Sequence, residues 1–423
     1  MALATTSVSE TCRAAQRAAR TLARTDSATK DRALEAMAAG IERRCEEILD
    51  ANARDLEAAR ASDHDAAFLE RLALDAQRVA AIADGVREIA SLRDPVGEVI
   101  DGYRLPNGLD VTRMRVPIGV VAVVYEARPN VTIDAAALAL KSGNAIVLRG
   151  SSAAANSNAV LAAIAAEAVV ATGLPEGAVS LVAGGGHEEL AELATQDGVV
   201  DLIIPRGGES LKAALKAVAT VPVIYAAAGN CHVYVDASAD LDAAEAIVVN
   251  AKVQRPGVCN SAEKLLVHAD VAPAFVPRAL RALDAQGVEL RVDGRVRALA
   301  ADFAGELADA TDEDWDTEYL ALIIGVKVVD SADEAIDHIN AHGSGHSEAV
   351  VTRDVDVARA FEAGVDAACV YVNASTRFTD GGVFGMGAEI GNSTQKLHAR
   401  GPIGLRELCT YKYVVRGDGH VRL

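Results

Sequence analysis

The first 95 residues carry apolar side chains at helical spacing. Two stripes recur every three to four positions, one at Leu34, Met37, Ile41, Cys45 and Ile48 and the other at Val79, Ile82, Val86 and Ile89. Such spacing predicts amphipathic helices that bury one face. This part of the chain is therefore predicted to be helical and to pack against a region that comes later.

From residue 117 onward, short β-branched runs alternate with alanine-rich helical stretches. The predicted strands are 119–125, 145–148, 179–182, 200–204 and 223–225, and the predicted helices are 133–141, 158–171, 187–194 and 211–219. This alternation is typical of βαβ units joined by right-handed crossovers. It predicts a doubly wound parallel sheet.

A second region of alternation begins near residue 232. Its predicted strands are 232–236, 264–267, 323–329, 348–351 and 369–372, and its predicted helices are 243–253, 332–340 and 355–363. We therefore expect a second layered α/β domain. The segments 100–116 and 401–423 are extended instead, and peripheral strands of this kind often pair across a subunit interface, so a homo-oligomer is expected.

Length and charge narrow the class of protein. The chain has 423 residues, which at roughly 150 per domain predicts two or three domains. Its 60 acidic and 41 basic residues give a net charge of −19, so nucleic acid and anionic membranes are unfavourable partners. No apolar run approaches the ~20 residues of a membrane span and no signal-peptide core precedes the first helix, so a cytoplasmic protein is expected.

Four arginines near the N-terminus, Arg13, Arg17, Arg20 and Arg24, recur at helical spacing. A transit peptide and a first helix with a solvated arginine face both produce such a pattern. The amphipathic pattern continues directly afterwards, which favours the second interpretation.

Six cysteines are scattered along the chain without a C-x-x-C pair, so free thiols are expected rather than a zinc site. Cys259 differs from the rest because it follows the Pro256-Gly257 turn between a predicted helix and a predicted strand, where a thiol is exposed on a rigid backbone. Arg255, four residues upstream, can stabilise its thiolate. His342 and His346 are separated by Gly-Ser-Gly, which opposes a helix, so no metal site is expected.

Glycine clusters follow two predicted strands, at 184–186 and at Gly207-Gly208, and each leads into a helix. Helix N-terminal amides in such turns bind the pyrophosphate of a nucleotide. Neither cluster matches G-x-G-x-x-G, and ordinary turn chemistry explains the glycines equally well. Both interpretations therefore stay open.

Several segments, taken in order, resemble the aldehyde dehydrogenase superfamily: 117–121, 141–149, 237–242, 256–259, 372–376 and 404–412. The resemblance implies a Rossmann-type parallel-sheet cofactor domain over 1–99 and 117–230. It implies an α/β catalytic domain over 231–400 and a small oligomerisation extension from 100–116 and 401–423.

Within that superfamily, three segments are similar to the gamma-glutamyl phosphate reductase family: 125–132, 254–260 and 384–391. This likeness implies NADPH-dependent reduction of L-glutamate 5-phosphate to L-glutamate 5-semialdehyde with release of phosphate, in proline biosynthesis. Glutamate kinase, which acts upstream, is then a candidate partner.

The likeness also assigns roles around the thiol. Cys259 is the implied nucleophile, and its backbone N–H together with the Asn130 amide is the implied oxyanion site. The superfamily's own asparagine falls at Arg128 by an ungapped count. Arg128, Arg255 and Arg377 are the candidate cations for the substrate's phosphate and carboxylate, although structural ion pairs are an alternative role for each.

The chain differs from hydrolytic aldehyde dehydrogenases at one position that bears on the reaction. The general base of hydrolytic aldehyde dehydrogenases falls at Ala226, so no side chain there activates water, which favours acyl-phosphate chemistry. An error in the ungapped count would restore an NAD-dependent hydrolytic aldehyde dehydrogenase. A non-catalytic nucleotide-binding scaffold is the third alternative.

The cofactor residues are implied in the same way. The superfamily's Lys-Pro-Ser-Glu becomes Arg149-Gly150-Ser151-Ser152, so the acid that holds a ribose hydroxyl is absent and Arg149 is available for a 2′-phosphate. NADP is therefore favoured over NAD. Gly185, Gly207 and Gly208 are the remaining candidates for the pyrophosphate, and Glu318 is the acid implied to hold the nicotinamide ribose.

Overall fold

A computed structural model describes residues 7–62, 64–182, 186–225 and 228–422. The chain divides into two compact units. The first comprises the described residues up to Tyr225 together with 385–391 and 403–422, and the second comprises 228–384 and 392–402. The division thus runs close to the expected boundary at 230, and it groups the C-terminal tail with the N-terminal unit.

The first unit begins with helices, as the apolar stripes predict. They are α1 (Val8–Leu22), α2 (Ser27–Arg43), α3 (Cys45–Ala61), α4 (Ala66–Leu72) and α5 (Ala76–Ser91). Ser7 and Glu10 form a capping box at the start of α1, which satisfies two amides that the helix itself leaves unbonded. The apolar face of α1 is buried and its arginines are exposed, in agreement with a solvated arginine face.

A parallel sheet follows a hairpin in this unit. The elements are β1 (Val99–Arg104), β2 (Asp110–Pro117), β3 (Val120–Tyr125), α6 (Asn130–Lys141), β4 (Ala145–Gly150), α7 (Ala155–Ala171), β5 (Val179–Leu181), α8 (His187–Ala194), β6 (Leu202–Arg206) and α9 (Glu209–Val218). The strand order is β5-β4-β3-β6, and every pairing is parallel. All residues of β3 and β4 are buried, as expected for strands covered on both faces.

One expectation for this unit is wrong. The predicted strand at 223–225 is only an isolated bridge from Val223 to Ile203, since Pro222 lacks an N–H and the β-branched run is too short for a ladder.

The stretch Ser152–Ala171, which contains α7, is long and apolar enough by composition to cross a membrane. Half of it is buried, however, and α7 packs against α2, α3 and β5 like the core helix of a globular unit.

The second unit is built on a larger parallel sheet. Its elements are β7 (Cys231–Val235), α10 (Leu241–Val253), β8 (Ala262–His268), α11 (Ala272–Asp284), β9 (Glu289–Val292), α12 (Gly294–Leu299), β10 (Ala308–Asp309), α13 (Asp312–Asp316), β11 (Ile323–Val329), α14 (Ala332–His342), β12 (Ser347–Val351), α15 (Val355–Gly364), β13 (Cys369–Val372), β14 (Asn392–Ser393) and β15 (Gly401–Pro402). The order is β10-β9-β11-β8-β7-β12-β13. Two α/β units with parallel sheets are therefore confirmed.

The last strand, β16 (Cys409–Arg416), returns to the first unit. It pairs antiparallel with β2, and β2 pairs antiparallel with β1, so the two extended segments form one small sheet. Every residue of β1 is exposed, and most of β16 is exposed as well. The predicted strands are confirmed, while their role in oligomerisation stays a prediction.

Candidate active site

Cys259 lies in the turn between α10 and β8. The Val258 carbonyl accepts the Ser261 amide proton at 3.0 Å, which closes the turn around the cysteine. Cys259 is half-buried. All six cysteines lie in the described part of the chain, and none of them forms a disulfide.

The segment that leads into β7 packs directly on the backbone of Cys259. An ideal Cβ built on Gly229 would stand 2.5 Å from the Cys259 Cα and closer still to its carbonyl group. The buried Cys231 thiol donates a hydrogen bond to the Cys259 carbonyl oxygen at 3.2 Å. Sequence analysis missed both residues, although a glycine before a strand is a known signal for close backbone approach.

Glu318 reaches the same place from the loop after α13. Its carboxylate accepts the Gly229 amide proton at 2.7 Å. Gly229 is thus held by Glu318 on one side and lies against Cys259 on the other. The structure therefore brings Glu318 and Cys259, which were predicted separately, to the two sides of one glycine.

Two arginines accompany the thiol. The Arg377 guanidinium donates to the Gln254 side-chain oxygen at 2.8 Å and also contacts the Asn260 side chain. Burial lowers the pKa of Arg377, the neighbouring Arg255 lowers it further, and Cys259 opposes both effects. Arg255 itself is exposed. Arg377 therefore interacts electrostatically with both Arg255 and Cys259.

Asn260 joins the cysteine turn to the segment that carries Arg377. Its side-chain amide donates to the Thr379 carbonyl at 2.8 Å, and its own carbonyl accepts the Thr376 hydroxyl proton at 2.7 Å. Because both contacts are buried, they fix the turn firmly. This residue was also missed by sequence analysis.

In the first unit, Asn130 is the first residue of α6. Its amide donates to the Asp134 carboxylate, one turn later, at 2.8 Å. Burial raises the pKa of Asp134 to about 6, against the opposing effects of Asn130 and Arg206. Arg128 is exposed just before the helix. The oxyanion role of Asn130 and the substrate role of Arg128 stay predictions.

The turn before α9 already holds an anionic group of the protein. The Gly208 amide donates to a Glu126 carboxylate oxygen at 3.0 Å. A Cβ on Gly207 would stand 2.7 Å from the carboxyl carbon of Glu126. The Gly208 amide, which was predicted to face a pyrophosphate, therefore faces a side-chain carboxylate here.

The end of β4 carries the residues expected at the 2′-phosphate. Arg149 is buried and donates to the Gly186 carbonyl at 2.7 Å, and burial lowers its pKa. The Ser151 hydroxyl accepts the Ala153 amide proton at 3.2 Å, and Ser152 is exposed. Gly185 and Ala226 lie outside the described residues.

The two histidines considered for a metal have other partners. His342 contacts the Asp316 carboxylate at 2.8 Å, and His346 contacts the Ser347 hydroxyl at 2.8 Å. Among the described residues, no group of three His, Cys, Asp or Glu side chains is arranged to hold a metal ion.

Comparison with known proteins gives consistent matches. The aldehyde dehydrogenase family model matches residues 2–296 and 308–414. A gamma-glutamyl phosphate reductase from Heliobacterium modesticaldum is 54% identical over 96% of this chain and 97% of its own, and one from Thermobifida fusca is 54% identical over 93% of each. The crystal structure of gamma-glutamyl phosphate reductase from Thermotoga maritima has a TM-score of 0.96 at 45% identity, covering 99% of this chain and 100% of that one.

Proposed function

The chain belongs to the aldehyde dehydrogenase family, and from this premise we propose that it is an NADPH-dependent reductase of L-glutamate 5-phosphate. The product is L-glutamate 5-semialdehyde, formed with release of phosphate in proline biosynthesis. Its likeness to reductases of that name, over nearly the whole length of both chains, supports this substrate.

One observation carries the proposal: the half-buried Cys259 interacts electrostatically with Arg377, whose other cationic neighbour is Arg255. Cations near a thiol favour the thiolate, which is the nucleophilic form. They also suit an acyl phosphate, whose phosphate group is anionic and leaves as phosphate. A hydrolytic enzyme would need a base for water, and the sequence has Ala226 at that position.

The Cys259 thiolate attacks the acyl carbon of the substrate, and the bond from that carbon to the phosphate oxygen breaks. A thioester on Cys259 and free phosphate result. The Cys259 backbone N–H and the Asn130 amide then stabilise the oxyanion that forms when the thioester carbon is reduced. Collapse of this oxyanion breaks the carbon–sulfur bond, releasing the aldehyde and restoring the thiolate.

NADPH, when bound, supplies the hydride for this reduction. The residues present suit it, because Arg149 lies at the carboxyl end of the parallel strand β4 and Ser152 follows that end, where dinucleotides bind. Position 152 also carries no carboxylate to repel a 2′-phosphate. Arg149, Ser151, Ser152, Gly207 and Gly208 would hold the phosphates. Gly185 would join them, and Glu318 would hold the nicotinamide ribose.

The same proposal includes the assembly of the protein, its location in the cell and its partner enzyme. A homo-oligomer built through the exposed strands β1 and β16 and a cytoplasmic location agree with the proposed role. Glutamate kinase is the expected partner, because the acyl phosphate has to be made by an upstream reaction.

The test uses the reverse reaction in a phosphate-free buffer. NADP reduction with glutamate semialdehyde should depend on added phosphate or arsenate, because the thioester needs a nucleophile that requires no deprotonation. Forward activity is followed as NADPH oxidation with enzymatically generated gamma-glutamyl phosphate. Full-rate oxidation to glutamate without phosphate would establish the hydrolytic alternative, and no turnover in either direction would establish the scaffold.

A further inference from the structure

We propose that Lys264 is a positioning residue, whose buried ammonium group joins Asn230 to Thr317 and thereby holds the two segments that meet behind Cys259. The inference rests on the proposed function, because it concerns how Cys259 and Glu318 are held for that reaction. It adds a residue on β8 to those already assigned to the site.

The ammonium group makes two hydrogen bonds of equal length. Its Nζ donates to the Asn230 side-chain oxygen at 2.8 Å and to the Thr317 carbonyl at 2.8 Å. It also lies 4.5 Å from the centre of the Tyr319 ring, within the range of a cation–π interaction. Lys264 thus contacts the residues on both sides of Glu318 in the chain.

Together with the chain itself, those contacts form a closed ring of residues that includes Gly229. Asn230 is the next residue after Gly229, and Thr317 is the residue before Glu318. The ring is completed by the hydrogen bond of 2.7 Å from the Gly229 amide to the Glu318 carboxylate. Since Gly229 packs on the Cys259 backbone, movement of either segment displaces the nucleophile or the implied ribose ligand.

The neighbouring residues leave space for the Lys264 stem and direct an acceptor toward its ammonium group. A Cβ on Gly325 in the neighbouring strand β11 would stand 2.9 Å from the Lys264 Cδ, so a glycine leaves room for the stem. The Asn230 amide nitrogen donates to the Trp315 carbonyl at 2.6 Å and to the His342 carbonyl at 2.8 Å. Both amide protons are therefore used, and the side-chain oxygen has to face Lys264.

The charge of Lys264 is not explained by a simple ion pair. Lys264 is fully buried, and burial lowers its pKa to about 8 while the adjacent Glu263 opposes that effect. Glu263 is bonded instead to Lys252 at 2.8 Å. A buried ammonium is costly unless hydrogen bonds compensate for its lost hydration, and the two acceptors that do so for Lys264 both border the site.

The experiment replaces the ammonium group and keeps the shape of the chain. Lys264→Met should lower kcat for gamma-glutamyl phosphate reduction by at least about 30-fold with KM changed less than about threefold, because a misplaced nucleophile affects the reaction more than binding. Lys264→Arg keeps donors at the position and should recover at least about fivefold. Alkylation of Cys259 by iodoacetamide, followed by peptide mass mapping, should slow in parallel.

Lys327→Met is the matched control. Lys327 is also beside Trp315, at 5.6 Å from its ring, and contacts His338 rather than Asn230 or Thr317. The kcat of the Lys327→Met enzyme should stay within about threefold of the wild-type value. A folded Lys264→Met protein with wild-type kcat and wild-type alkylation would overturn the proposal.

If Lys264→Met does not fold, Gly325→Ala tests the same ring by displacing the lysine stem while keeping its charge. A lowered kcat with an intact fold supports the positioning role, and an unchanged kcat refutes it. Absence of reductase activity in the wild type would refute the proposed function instead. The alkylation rates would then still report whether Lys264 positions Cys259.

Discussion

Gly229→Ala places a methyl group where the Cys259 backbone now lies. The φ of Gly229 is outside the left-handed region, so its backbone conformation is accessible to alanine. The obstacle to the substitution is the lack of space for a methyl group. The new Cβ would overlap the Cys259 carbonyl oxygen and would stand 2.5 Å from the Cys259 Cα. Ordinary contact between carbons begins near ~3.5 Å, so the turn has to move by more than about 1 Å.

A displacement of that size predicts a large kinetic effect. Misplacing a reacting group by about 1 Å costs on the order of 100-fold in rate, so kcat/KM for gamma-glutamyl phosphate should fall by at least that factor. Overpacking should also lower the free energy of unfolding by about 1–3 kcal/mol. Binding of the NADPH phosphates should persist, since their proposed ligands belong to the first unit.

The assay is NADPH oxidation under steady-state conditions, with urea unfolding and NADPH fluorescence titration on the same preparations. Gly294→Ala is the matched control, because a Cβ at the first residue of α12 meets nothing within 4 Å. It should keep full activity. A folded Gly229→Ala protein with kcat/KM within about threefold of wild type would refute the reasoning, because Cys259 would then tolerate displacement.

Cys259→Ser should abolish turnover while NADPH binding persists, since an alcohol is a far weaker nucleophile than a thiolate; near-normal NADPH oxidation would contradict this. The kcat/KM ratio should favour NADPH over NADH, and Ser152→Glu should shift it toward NADH; a wild-type preference for NADH would remove the argument. Glu126→Gln should tighten NADPH binding about two- to fivefold if Gly208 takes a phosphate, because a competing charge is lost, and an unchanged Kd would exclude that site. Burial lowers the pKa of His346 from 6.5 to about 4, so the unfolded chain binds more protons between these values and the protein loses stability as pH falls through them. Between pH 7 and pH 5 this loss is about 2 kcal/mol, and urea unfolding of His346→Gln should lack it; an equal loss in the variant would refute this origin.

The alternation of strands and helices was predictable because each element repeats one short pattern. The predictions for α8, β11 and β13 match the observed ends. Gly186 precedes α8, Asp330 and Ser331 follow β11, and Asn373 follows β13, so a turn residue marks at least one end of each. Sequence analysis missed β9, which offers only two apolar positions in four residues, and α11, which contains Pro277. Proline opposes a helix interior, so the local signal contradicted the final structure.

The sequence singles out Cys259 as the candidate nucleophile because its Pro-Gly turn and Arg255 are its neighbours in sequence. Gly229, Asn260 and Lys264 were not identified, since what matters about them is a contact with a segment far away along the chain. A buried lysine next to a buried glutamate gives no sign of which acceptor it will reach. Strand pairing decides that, because β7 and β8 are adjacent in the sheet and bring Asn230 to Lys264.

The glycine turn before α9 illustrates why a motif alone does not establish a ligand. Helix N-terminal amides favour any negative charge, and a carboxylate of the protein satisfies them as a phosphate does. Glu126 comes directly after β3, and β3 is paired in parallel with β6, so the sheet itself delivers this carboxylate to Gly208. A phosphate that binds at Gly207 and Gly208 must therefore displace Glu126 or share the amides with it, and the affinity for the cofactor depends on both groups.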